Sequence, residues 1–119
     1  MNDEVAEFVS TLLHSGTVAH FMHWSTTSYS KHKALQKYYE GIVDLTDDFA
    51  ESYMGRYKRL TQFPSDFHTA KEPIEYMEGI QSFVEEARES LPQDTELQNI
   101  IDDIADLINS TLYKLKNLE

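Results

Sequence analysis

Apolar residues return at three- and four-residue steps in four separate stretches of this sequence, and very little punctuation lies between them. That spacing puts each apolar set on one face of an α-helix. Four amphipathic helices without strands have a natural solution, a bundle in which each stripe covers the others. The chain has 119 residues with only four Gly and three Pro, which fits helices better than a many-turned β protein. One domain spanning residues 1–119 is therefore expected, large enough to bury a core without disulfides.

The first stretch runs from about Asp3 to Trp24, with Val5, Phe8, Val9, Leu12, Gly16, Ala19 and His23 in register. Asn2 or Asp3 is the expected cap. Hydroxyl side chains from Ser25 to Ser30 break the pattern, and Ser28 or Ser30 is placed to cap a second helix reaching about Leu60. Its stripe is Leu35, Tyr38, Tyr39, Ile42, Leu45, Phe49, Tyr53 and Leu60. Thr61 to Glu72 forms the one long connection, and Pro73 suits the first position of helix three. That helix carries Ile74, Met77, Ile80, Val84, Ala87 and Leu91. Pro92 to Thr95 ends it, and Asp94 or Thr95 caps helix four, whose apolar face extends from Leu97 to Leu118. Short 1–2 and 3–4 connections make those pairs antiparallel neighbours. The middle connection is long enough either to run back along the bundle or to be a generous loop.

Charge narrows the functional classes. The formal net charge is -11, from 21 acidic and 10 basic side chains. Such a surface repels DNA phosphates and anionic lipid, so direct nucleic-acid or membrane binding is not expected. The absence of cysteine removes thiolate ligands and thiol nucleophiles. No basic leader or membrane-length apolar run is visible, and a cytoplasmic location is expected.

Two groups of residues could carry chemistry. His20 and His23 lie one turn apart near the end of helix one, His14 lies further back, and His32 opens helix two. On a core-facing stripe an imidazole needs a hydrogen-bond partner or a metal. Asp44, Asp47, Asp48 and Glu51 form an acidic patch on helix two without lysines four residues away, so a cation would relieve their repulsion. Asp47 and Glu51, one turn apart, could converge on one ion, and oxygen plus imidazole ligands suit iron, manganese or zinc. However, His32 and Asp47 are about 22 Å apart along a straight helix and cannot share an ion within one chain. A second subunit could bring them together. Elsewhere, His68 is expected at the surface. Tyr38, Tyr39, Tyr53, Tyr57 and Tyr76 are expected as partly buried packing groups with wet hydroxyls.

The segment His23-Trp24, His32 and Asp47-Asp48-Phe49-Ala50-Glu51 resembles the signature of the Dps family of mini-ferritins. The resemblance implies a ferritin-like four-helix bundle, a homo-oligomer, and an iron-oxidising (ferroxidase) centre between subunits. It assigns His20 or His23, with His32, from one chain and Asp47 with Glu51 from its neighbour. The sequence departs from the pattern: His23-Trp24 sits about three residues too close to His32, Gln36 stands where the family often has an acid, and the chain is shorter, with a reduced middle connection and no Lys-rich tail. Short ferritin-like proteins of phages are a further likeness. The departures carry the alternative expectation: a non-enzymatic ferritin-like frame without the metal site, acting in assembly or on an unidentified protein partner.

Overall fold

In a computed structural model, which describes residues 2–119, the chain forms four helices: α1 (Asn2–Ser25), α2 (Tyr29–Arg56), α3 (Pro73–Ala87) and α4 (Thr95–Asn117). Among the described residues there is no strand. The fold class is the one read from periodicity, an all-α four-helix bundle.

The helix starts follow local chemistry. Ser28 caps α2, its Oγ accepting the Lys31 N–H at 3.3 Å. Pro73 opens α3 behind Glu72, whose carboxylate accepts the Ile74 N–H. Asn2 and Asp3 lie within α1 rather than ahead of it, and Met1 lies outside the described residues. Asp94 holds the N-cap position of α4 but makes no side-chain cap bond. Its carboxylate instead accepts the Tyr57 hydroxyl proton and pairs with Arg56 at 3.4 Å.

That diversion explains why α2 stops at Arg56, four residues short of the expected Leu60. Tyr57 turns out of helical geometry while its hydroxyl is held by Asp94. Leu60 still reaches the core, 9% exposed, from the connection rather than from the helix.

Helix α1 packs on α2 and α3, and α4 packs on the same two, leaving α1/α4 and α2/α3 on the diagonals. Phe8 of α1 stacks on Phe83 near the end of α3, so α1 and α3 are antiparallel. At one end of the bundle Asp94 meets Arg56 and Tyr57; at the other the Ser30 hydroxyl donates to the Leu118 carbonyl at 3.1 Å. Helices α2 and α4 are therefore antiparallel as well. Residues 57–72 must then travel the length of the bundle, which settles the open question: the middle connection is a crossover.

One apolar cluster fills the interior, with Phe8, Leu12, Tyr38, Ile42, Phe49, Met77, Leu97, Ile101 and Ile104 fully buried. Gly16 permits close approach of α1 to α2: a Cβ there would stand 3.0 Å from Ile42 Cγ2. Among the described residues no helix is long and apolar enough to cross a membrane.

Candidate functional site

The turn between α1 and α2 gathers three of the five candidate ligands. His20 and His23 share one face of α1, and the tight turn at residues 26–28 folds His32 back onto them. The rings of His23 and His32 stack at 3.6 Å between centroids, 17° apart. Each donates its Nδ1–H to the other's backbone carbonyl, at 2.7 and 2.8 Å. A carbonyl can only accept, so both imidazoles are held with the proton on Nδ1 and the Nε2 lone pair free when neutral. His23 is 6% exposed, and this reciprocal lock supplies the partner that a buried imidazole needs. His20 lies flat on Tyr39, 3.9 Å between centroids, with Trp24 at 4.6 Å.

The two acids stand elsewhere. Helix α2 is continuous from Tyr29 to Arg56, which preserves the separation of about 22 Å between His32 and Asp47. Asp44, Asp47, Asp48 and Glu51 are all exposed. Asp47 borders a cleft of about 480 Å³ between α1, α2 and the crossover, shared with Leu13, His14, Thr46, Phe63 and Asp66. Thr46 Oγ1 is buried there without a hydrogen-bond partner. Among the described residues no three His, Cys, Asp or Glu side chains are placed to hold one metal ion. The five candidates thus separate into an imidazole cluster and an acidic face within a single chain.

Several polar contacts lie outside the sequence expectations. Tyr38 is fully buried and dry rather than wet-tipped: its hydroxyl donates to Ser15 Oγ at 2.7 Å, and Ser15 donates in turn to the Leu12 carbonyl at 2.6 Å. Burial pushes the Tyr38 phenol well above its ordinary range. Tyr53 is also buried, its hydroxyl donating to Asn2 Oδ1. His68 is at the surface as expected, but it has partners. The backbone N–H of His68 reaches His14 Nε2 at 3.0 Å, and its own Nε2 meets the Tyr76 hydroxyl at 2.9 Å. Partial burial, followed by the neighbouring His14, lowers the His68 pKa, while Asp66 opposes. Burial raises Tyr76 to about 12. A serine on an otherwise apolar stripe was the available signal for the first network. Nothing local in sequence pairs His14 with His68, 54 positions away.

A larger groove, about 740 Å³, runs between α2 and α4. Lys33, Lys37 and Lys114 line it with Tyr29, Glu40 and Asp44. Lys114 is held below its ordinary pKa by burial and then by the adjacent Lys37 ammonium.

A family model described as a family of unknown function, DUF5856, matches residues 23–115, nearly the whole of α2, α3 and α4 with their connections. The chain belongs to the DUF5856 family. It is 27% identical over 110 residues to an uncharacterized 14.6 kDa protein in the mobD-ri intergenic region of Enterobacteria phage T4, covering 92% of this chain and 85% of that one. No solved structure matches. The phage kinship expected from sequence is present in that relative. The Dps likeness rests on its motif residues, and the DUF5856 match takes in His23, His32, Asp47 and Glu51 but not His20.

Proposed function

We propose that this DUF5856 chain is a non-enzymatic, homo-oligomeric helical protein, a ferritin-like frame that acts through protein–protein contact. What carries this reading is the departure from the metal-binding signature at Gln36 and in the His23-Trp24 spacing, with the candidate ligands apart within one chain. His23 and His32 are engaged with each other and His20 with Tyr39, while Asp47 and Glu51 face outward further along α2. The apolar interior supports it too, since a bundle-core metal site requires inward-facing carboxylates and imidazoles.

One observation favours a second reading, Dps-like iron binding between subunits with Fe(II) oxidation. Metal-ligating histidines commonly donate their other ring N–H to a backbone carbonyl, and His23 and His32 both do so. In an assembly, their Nε2 atoms with Asp47 and Glu51 of another copy would form a mixed nitrogen and oxygen set suited to iron, manganese or zinc.

Fe(II) titration under air, with the assembly mass measured in the same preparation, separates the two. The first reading expects an oligomer whose iron oxidation does not exceed that of buffer. Saturable oxidation that disappears in Asp47→Ala/Glu51→Ala, with helicity intact, overturns it in favour of the second.

A further inference from the structure

Helix α2 carries its charges in an order that one chain alone does not satisfy. Lys33, Lys37, Glu40 and Asp44 are all exposed, and at 3.6 residues per turn they lie within about 60° of one another on one stripe. None has an ion-pair partner within 4.0 Å among the described residues. Within the stripe Lys33/Lys37 and Glu40/Asp44 are like-charge pairs at four-residue spacing, as are Asp44/Asp48 and Asp47/Glu51 further along α2, and Lys37/Glu40 is the one opposite-charge neighbour pair of the stripe. Lys37 also stands against the Lys114 ammonium of α4.

The order also opposes the helix dipole. The positive N-terminal end of α2 has no acid in its first turn, and Lys31 and Lys33 follow directly; the acids run from Glu40 towards the negative end. A second α2 running the other way would set opposite charges against the stripe. Lys33 and Asp44 are equidistant from a point between Tyr38 and Tyr39, and so are Lys37 and Glu40. A two-fold axis beside the stripe, at the level of that point, sets every lysine of the stripe opposite an acid.

We propose that two copies of this chain pair through α2, antiparallel about a two-fold axis that lies between the two helices at the level of residues 38 and 39, with Lys33 facing Asp44 of the partner subunit and Lys37 facing Glu40 of the partner subunit. A two-fold interface is self-complementary by construction, and this stripe has that property. In this register Lys33 of the partner subunit relieves Asp44, while Asp47, Asp48 and Glu51 meet no lysine. Exposed ion pairs are individually weak, so they set register and partner choice, and the association is sensitive to salt. This pairing rests on the homo-oligomeric reading above and specifies its contact surface.

Sedimentation velocity tests it by charge exchange. The native chain should associate at low salt and dissociate as salt rises. K33E/K37E and E40K/D44K should each associate at least about ten-fold more weakly than the native chain, because every pair becomes repulsive. Mixed in equal amounts, the two variants should form a heterodimer, since the all-acidic stripe of one faces the all-basic stripe of the other. Recovery on mixing also shows that both variants are folded. A native chain that stays monomeric at low salt overturns the pairing, as do variants that self-associate like the native chain or a mixture that stays apart. If the variants remain assembled, self-association stands and this interface falls. Saturable iron oxidation would overturn the non-enzymatic reading and leave the pairing intact.

Discussion

Two polar networks tie this bundle together, one in its interior and one beneath the crossover, and they differ in what water can reach. In the interior, Tyr38, Ser15 and the Leu12 carbonyl form a chain of hydrogen bonds closed off from solvent. Under the crossover, His14 and His68 join imidazoles to a backbone N–H and to the Tyr76 hydroxyl, and His68 remains exposed. The first network belongs to the global fold; the second holds one strap. Burial divides the two roles, because an unmade bond is costly only where water cannot replace it.

The largest expected effect lies in the interior. Phe49 is fully buried with its ring edge-on to Phe8 at 5.1 Å, and Phe49→Ala should cost about 3–5 kcal/mol in chemical denaturation. Ser15→Ala strands the Tyr38 hydroxyl without an acceptor and should cost about 1–3 kcal/mol. Tyr38→Phe should cost less, since Ser15 keeps the Leu12 carbonyl, and the double variant should recover part of the Ser15→Ala loss. Equal costs for the two single variants would show that the hydroxyl chain does not run in the direction described.

The two networks should also fail at opposite ends of the pH scale. Burial raises the Tyr38 phenol, so the folded chain holds that proton where the unfolded chain has released it. Stability should then decline as pH rises past about 10, and Tyr38→Phe should flatten part of that decline. Tyr53, Tyr57 and Tyr76 are raised as well and account for the remainder. His68 is shifted the other way. Its folded state resists protonation, so its contribution is complete above about pH 6.5 and is lost as pH falls towards the lowered value. Protease cleavage within residues 57–72 should therefore increase below that pH while helicity holds.

The smallest effect is the most specific. His68→Ala should change global stability by no more than about 0.5 kcal/mol. It should nonetheless raise cleavage of the strap at neutral pH and remove the acid dependence. A large loss of global stability in that variant would mean that the strap and the core form one cooperative unit.

The fold was largely legible in sequence, because a helix announces its buried face through spacing. Ser28 and Pro73 marked their helix starts by their own chemistry, and Asp94 sat at the N-cap position foreseen for it. The end of α2 was not legible. Leu60 fits the apolar period and is indeed buried, but the helix stops earlier because Asp94, distant in sequence, captures Arg56 and Tyr57. The gathering of His20, His23 and His32 follows from a short turn between two helices. Their mutual lock does not, since periodicity says nothing of ring orientation or of which carbonyl an imidazole meets. The Tyr38–Ser15 bond escaped for the same reason.

The crossover also bears on how the chain reaches this state. Each hairpin, α1 with α2 and α3 with α4, closes through a short connection and can form from nearby residues at small entropic loss. The contacts between hairpins, α1 with α3 and α2 with α4, join segments far apart in sequence and require the strap to reach from one end to the other. Docking of two preformed hairpins is then the expected late step in folding. Substitutions along the α2–α4 seam should mainly speed unfolding, and those between α1 and α2 should mainly slow folding.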